Sequence, residues 1–179
     1  VVQGSSIAVG LHGEVYVGWI QYSPGTPRFK LRRSDDGGQT FGPAVTVAKL
    51  KLVPSPLHVK NWQFRVPTFA FLEADTSMGS FGGTVYAVWQ DNRFRTGNIL
   101  LARSTDRGDH WSSPVRVNDS PSKAQDFFPS VAVSPDTGAV KVIYYTNRLS
   151  LPQGTLLDVF VAESPPGGKS FTCLLYTSP

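Results

Sequence analysis

Apolar and polar residues alternate along most of this chain in short runs. One set is Val15-Tyr16-Val17-Gly18-Trp19, Val85-Tyr86-Ala87-Val88-Trp89 and Val140-Lys141-Val142-Ile143-Tyr144. A second is Phe29-Lys30-Leu31-Arg32-Arg33, Ile99-Leu100-Leu101-Ala102-Arg103 and Val159-Phe160-Val161-Ala162-Glu163. Ala44-Val45-Thr46-Val47 and Pro114-Val115-Arg116-Val117 make a third. Ile7-Ala8-Val9, Phe69-Ala70-Phe71 and Ser130-Val131-Ala132-Val133 make a fourth. A period of two in β-branched and aromatic residues, punctuated by Gly, Pro, Asn and Asp, predicts strands joined by turns. Alternation puts Trp19, Trp89 and Tyr144 in the core. No window sustains a helical period, which excludes a helix bundle. No apolar run reaches the ~18 residues of a membrane helix, so no membrane span is expected.

The runs recur as units of four, and each unit carries the same box between its third and fourth strands. The box reads Ser-x-Asp-x-Gly-x-x-aromatic: Ser34 to Phe41, Ser104 to Trp111 and Ser164 to Phe171. Repeated four-stranded units of this length are the signature of β-propeller blades. The expected blades are 1–50, 64–120 and 127–172, with Val53 to Asn61 crossing between the first two. Within the box, Ser34, Ser104 and Ser164 open the turn. Asp36 and Asp106 are suited to accept backbone N–H groups, as Asp does in Asx-turns. Gly38, Gly108 and Gly168 supply a left-handed position. Phe41, Trp111 and Phe171 fold back over the hairpin. Such an Asp is a turn staple, not a catalyst. Pro166 stands where the third Asp belongs and cannot accept that bond, so the third turn should be the weakest.

Composition narrows the function. The chain has 179 residues, 40% hydrophobic and 17% charged, which suits one folded domain. Net charge is +4 with the basic residues scattered, which reads as a solvated surface and not as a nucleic-acid footprint. His12, His58 and His110 share no metal-ligand spacing, and neither metal nor cofactor is expected. The last seven residues, Cys173 to Pro179, resemble a translated sequencing adapter and are expected to lie outside the fold. The remainder holds no cysteine, hence no disulfide, thiolate metal site or cysteine nucleophile. The chain opens at Val1 inside a strand pattern, its one methionine is Met78, and no signal peptide is visible. The native N-terminus is therefore expected upstream.

The boxes resemble the Asp-box (BNR) repeats of the sialidase superfamily. The resemblance covers residues 1 to about 172. It implies an all-β, sialidase-type six-bladed β-propeller, present here as an incomplete slice of about three four-stranded blades, the other blades being its packing partners. It also implies an extracellular or periplasmic location. The box marks this group of propellers and not sialidase activity, because non-catalytic glycan binders carry it too.

A second resemblance is more pointed. Phe64-Arg65-Val66-Pro67 looks like the sialidase F-R-I-P motif, whose arginine helps to grip the substrate carboxylate. Gly83 to Arg93 resembles the following sialidase strand, which ends in the second such arginine. The resemblance thus implies substrate contacts for Arg65 and Arg93, and more weakly for Asp126, near the start of the next inner strand. An arginine's planar fork matches a carboxylate through two parallel N–H bonds. Three features point elsewhere. Asn147-Arg148 repeats Asn92-Arg93 one blade on, as a loop-holding arginine would. The loop Phe94 to Asn98, where sialidases place an acid/base Asp, holds no carboxylate. The Tyr nucleophile of the family, its Glu partner and the third arginine would fall in later blades, so no catalytic residue is assigned. Two functions follow: an exo-sialidase-like glycoside hydrolase, or a non-catalytic propeller that binds glycans or proteins.

Overall fold

The computed structural model describes residues 1–22 and 25–177, and in them the alternating runs become twelve strands. β1 (Val2–Val9), β2 (Val15–Gln21), β3 (Arg28–Ser34) and β4 (Val45–Lys49) form the first sheet. β5 (Phe71–Ala74), β6 (Val85–Asp91), β7 (Asn98–Ser104) and β8 (Val115–Arg116) form the second. β9 (Asp126–Val133), β10 (Val140–Thr146), β11 (Asp158–Ser164) and β12 (Thr172–Thr177) form the third. Neighbours in sequence are antiparallel neighbours in each sheet, as short turns between alternating runs require. The register recurs as well: Val15 pairs with Ser34, Val85 with Ser104 and Val140 with Ser164. These are three consecutive blades of a β-propeller.

The blades stack face to face. Tyr16, Ile20, Phe29 and Leu31 of the first pack with Leu72, Ala87, Trp89 and Leu100 of the second. Tyr86, Val88, Ile99 and Leu101, on the opposite face of the second blade, pack with Val140, Val142, Tyr144 and Phe160 of the third. All seven residues of β6 are buried, because the middle sheet is covered on both sides. In β10 only every second residue is buried. Trp89 and Tyr144 lie in the core as alternation predicts, but Trp19 is only half-buried. The reason is its face: Tyr16, Gly18 and Ile20 point at the second blade, and Trp19 points the other way. The tail from Cys173, placed outside the fold by the sequence reading, pairs along β11 as part of β12, with Cys173 against the core, while residues 178–179 lie outside the described residues. The edge of β11 offers unpaired N–H and C=O groups, and an adjoining extended segment satisfies them.

The boxes behave as staples. Ser34 Oγ donates to Asp36 Oδ1 at 2.6 Å and accepts the Gly38 N–H at 2.8 Å. Asp36 Oδ1 also accepts the Thr40 N–H at 2.8 Å. The second box repeats this with Ser104, Asp106, Gly108 and the His110 N–H. Bonds from Ser34 and Thr40 hold the Asp36 carboxyl well below the usual range. Burial pulls the Asp106 carboxyl up, but bonds from His110 and Ser104 outweigh it and hold it at about 2. In the third box Pro166 offers no acceptor, and Ser164 Oγ turns instead to the Pro165 carbonyl at 3.0 Å. Trp111 folds back and donates Nε1–H to the Gly108 carbonyl, while Phe41 remains 38% exposed.

The second and third boxes also lock onto the blade before them. Arg33, just ahead of the first box, donates to the Arg107 carbonyl at 2.6 Å, and Arg103, just ahead of the second, donates to the Gly167 carbonyl. Arg107 and Gly167 are the fourth positions of their boxes. The fifth-position glycines lie flat on the preceding blade. A Cβ on Gly108 would meet Leu31 at 3.2 Å and Tyr16 at 3.6 Å. One on Gly168 would meet Tyr86 at 2.9 Å and Leu101 at 3.5 Å. The first junction is reinforced by Arg107, which pairs with Glu14 at 2.9 Å and with Asp35.

Two sets of stability measurements test these parts. Asp106→Ala should cost about 1–2 kcal/mol by chemical denaturation, and Pro166→Asp should gain about 0.5–1.5 kcal/mol by giving Ser164 and Ser170 their missing acceptor. Because Asp106 titrates lower folded than unfolded, its contribution is full above about pH 4 and is lost as pH falls towards about 2. The gap between the parent and Asp106→Asn should therefore close over that window. Arg103→Ala should cost about 1.5–3 kcal/mol, the worth of a charge-assisted bond, while the exposed Arg32→Ala stays within about 0.5 kcal/mol.

Candidate functional site

The first strand of each blade begins, and the second ends, at the same side of the stack, away from the boxes. The loops at that side are the long segment 50–70, the β6–β7 turn, residues 117–125 and the β10–β11 loop. Segment 50–70 is packed, not a bare crossing: Val53, Leu57, Trp62 and Val66 form a buried cluster with Phe127. Trp62 donates Nε1–H to the Thr155 carbonyl at 3.2 Å, which ties the segment to the third blade.

Gln90 organises this side. Its Nε2 donates to the carbonyls of Val66 and Pro67 at 3.2 and 3.1 Å, and its Oε1 accepts the Phe128 N–H at 2.8 Å. One buried amide thus fixes the Phe64-Arg65-Val66-Pro67 stretch against β9. Arg65 therefore lies outside the strands, six residues ahead of β5, in a segment held by these bonds. Its side chain is exposed and makes no hydrogen bond or ion pair among the described residues.

Arg65 borders a shallow groove of ≈ 350 Å³ between the first and second blades. Gln3, Tyr22, Leu52, Pro67 and Thr68 also line it. Tyr22 donates its hydroxyl to the Thr68 carbonyl at 3.0 Å, and burial raises its pKa. Thr68 is 3% exposed, and its Oγ1 is buried without a hydrogen-bond partner. The buried Thr68 hydroxyl is thus a polar group that the fold leaves unsatisfied, and Thr68 lines the same groove as the free Arg65.

Arg93 is not part of the groove. It pairs with Asp91 through Nε and Nη2, both at 2.9 Å, and donates to the Lys49 carbonyl at 3.0 Å. The hydrogen bonds to Asp91 raise its pKa, against the opposing pull of burial. Asp91 is fully buried and also accepts from Trp89 Nε1 and the Lys51 N–H. The arginine thus neutralises a buried charge and anchors the end of β4. Arg148 is spent likewise: it pairs with Asp119 and lies over the Phe160 ring, 4.7 Å from its centroid. The loop-holding role suggested by the Asn-Arg repeat describes both side chains.

Asp126 is 1% exposed. It accepts from Ser120 Oγ at 2.8 Å and from Asn118 Nδ2 at 2.7 Å, inside a polar network that also holds Asn98. Burial pushes its carboxyl up to about 6, against the bonds from Thr146 and Ser120. In this enclosed setting the Asp126 carboxyl faces protein partners, out of reach of the groove. The β6–β7 turn offers no carboxylate of its own beyond the paired Asp91, and Phe94 is 52% exposed at its tip. Among the described residues, no group of three His, Cys, Asp or Glu could hold a metal, and no helix is long and apolar enough to cross a membrane.

Sequence reasoning missed Gln90, Thr68 and Tyr22. For Gln90 a signal existed: an amide stands where the repeat puts Ile20 in the first blade and Tyr145 in the third.

The chain matches no protein-family model and no curated protein. Its fold matches solved structures. The GH93 α-L-arabinofuranosidase of Fusarium graminearum, in complex with arabinobiose, is 16% identical with a TM-score of 0.65, over 99% of this chain and 49% of that one. A Hadza microbial sialidase is 13% identical with a TM-score of 0.67, over 96% and 37%. An N-acetylgalactosamine deacetylase from F. plautii, in complex with blood group B trisaccharide, is 15% identical with a TM-score of 0.54, over 99% and 54%. What they share is the fold. It is a β-propeller. The chain spans between about one third and about half the length of these structures.

The two arginines should separate cleanly in stability. Arg93→Ala strands the buried Asp91 charge and should cost about 3 kcal/mol in urea denaturation. Arg65→Ala, an exposed side chain without partners, should stay within about 0.5 kcal/mol.

Proposed function

We propose that this chain is the glycan-binding part of a propeller of the glycoside-hydrolase type, and that the groove at Arg65 receives the sugar. The observation that carries the reading is the pairing state of the rim: Arg93 and Arg148 are neutralised, while Arg65, which lines the groove with Thr68, is free. The fold supports the carbohydrate class, since two of the neighbours above hold oligosaccharides. The sialidase reading is narrower and rests on Arg65 and its motif. With one free arginine the groove offers a single bidentate contact to a carboxylate, not the set that the sequence resemblance implied. The rim carboxylates Asp91, Asp119 and Asp126 are paired or enclosed, so general acid and nucleophile would come from other blades. This portion binds, and bond cleavage belongs to the rest of the propeller. A glycan ligand goes with an extracellular or periplasmic location.

Titration calorimetry with a carboxylated oligosaccharide, sialyllactose, and a neutral one, arabinobiose, tests the reading. Arg65→Ala should weaken binding of the carboxylated probe by about ten- to a hundredfold. Neutral binding should change less than about threefold. Equal binding of both probes, indifferent to Arg65, would show that the groove reads neutral sugars. Binding of neither would remove the groove as a site.

A further inference from the structure

The basic residues are scattered along the sequence, but the fold sorts them by side. Each strand crosses its blade once, so successive connections fall on alternate sides of the stack. On the box side, segments 10–14, 35–44, 75–84, 105–114, 134–139 and 165–171 carry seven Asp and Glu against two Lys and Arg. On the opposite side, segments 50–70, 92–97, 117–125 and 147–157 carry seven Lys and Arg against one Asp. That one, Asp119, is paired with Arg148, and Arg93 is taken by Asp91. Lys51, Lys60, Arg65, Arg95 and Lys123 remain, all exposed and none in an ion pair among the described residues.

Hydrogen bonds between these loops join part of that set into one band across the three blades. The Asn92 N–H donates to the Lys51 carbonyl at 2.7 Å, which seats the β6–β7 turn against the end of the first blade. On the other flank of the turn, the Asp126 N–H donates to the Gly97 carbonyl at 3.0 Å, and the Gly97 N–H to Gln125 Oε1 at 2.8 Å. Lys51, Arg95 and Lys123 thus follow one another from blade to blade. Phe94 is exposed at the tip of the turn, and the Arg116 guanidinium lies 6.0 Å from its ring centroid. Arg116 is exposed too, and it is held by the Ser120 carbonyl at 2.6 Å, not by a carboxylate. The band stands on loops, so stacking of blades does not cover it. The middle blade shows this: β6 is buried along its whole length, yet Arg95 in the turn that follows is exposed.

A side with free cations and no free carboxylate calls for an anionic partner. Stacked sheets lie about 10 Å apart, so the band presents its charges loop by loop at about that spacing. Double-stranded nucleic acid carries a charge about every 1.7 Å of its axis and calls for a denser cluster. A polymer charged once per sugar, or once per pair of sugars, matches the sparser set. An exposed aromatic ring beside guanidinium groups also suits the apolar face of a sugar ring.

We propose that Lys51, Arg95, Arg116 and Lys123, with Phe94 among them, bind an extended polyanionic polysaccharide whose sugars carry carboxylate or sulfate groups in repeat. The choice of a polysaccharide rests on the glycan reading of the Arg65 groove, whereas the sorting of charge does not. The band reads a run of charges along a chain, and the groove reads one sugar.

The test uses fluorescence anisotropy of labelled chains: an oligogalacturonate, a heparin oligosaccharide, a neutral arabinan oligosaccharide and an oligothymidylate. The full chain should bind at least one of the charged oligosaccharides at least about tenfold more tightly than the arabinan. Raising NaCl from about 50 to about 200 mM should weaken that binding by about tenfold, through counterion release. The preferred chain tells carboxylate from sulfate. The triple variant Lys51→Gln, Arg95→Gln and Lys123→Gln should lose about tenfold in affinity for it. These side chains are exposed, so the melting curve should not move, and Lys123→Glu alone carries the same test in weaker form if the triple variant does not fold. Sialyllactose, with its single carboxylate, separates the two readings: the triple variant should leave its binding unchanged, while Arg65→Ala weakens it. Charged oligosaccharides bound no better than the arabinan, or as well by the triple variant as by the parent, overturn the inference. Oligothymidylate bound as tightly, with the same dependence on the three cations, overturns the choice of a polysaccharide.

Discussion

The stack of blades depends on one donation made twice: a guanidinium at the end of a third strand reaching the backbone carbonyl at the turn of the next box. The carbonyl is available because the box is a fixed turn, held open by its serine and aspartate. The glycine beside it removes the one side chain that would hold the sheets apart. Apolar burial supplies most of the stabilisation between blades, but it is not directional. The polar lock fixes the register at which one sheet lies on the next, and from it follows which loops meet at the far side.

That far side shows how a fold uses up chemistry that a sequence seems to offer. Arg93 stands where the resemblance implies a ligand contact, and Arg148 repeats it one blade on. Arg93 is drawn to Asp91, two residues back at the end of β6, and Arg148 to Asp119 on a neighbouring loop. A fully buried Asp91 cannot remain charged without a partner, and the nearest cation two residues on supplies it. Arg65 escapes because Gln90, a neutral amide, does the holding in its segment. The candidate site is thus defined as much by which groups the scaffold has already satisfied as by which residue types are present.

The strands, their turns and the three-fold repeat of the unit were legible in the alternation and in the boxes, because both rest on local rules: a period of two and the geometry of a turn. Even the missing acceptor of the third turn could be read from Pro166 alone. What could not be read was direction. Alternation says that Trp19 and Tyr16 lie on opposite faces, but not which face meets a neighbour, since that depends on the order in which blades stack. Partnership was equally hidden. Asp119 and Arg148, and Arg33 and the Arg107 carbonyl, are brought together by packing between loops distant in sequence. The strand residues from Cys173 onward show a third limit, where an open strand edge recruits a segment that the sequence reading had placed outside the fold.

The strand order within each blade follows the order of the chain, and each blade touches only the next. Stability in such an arrangement is close to a sum of unit terms and nearest-neighbour couplings, as in other repeat proteins. The third box, with its missing acceptor, sits in a blade coupled to one described neighbour, and not in the middle blade, whose loss would uncouple both. The defect is therefore confined: loosening that hairpin frees one sheet and leaves the interface between Tyr16, Leu31 and Trp89 intact. A repeat built this way tolerates drift in one unit while the others keep their shape, and chemistry can change on the loop side of a single blade without re-solving the whole scaffold.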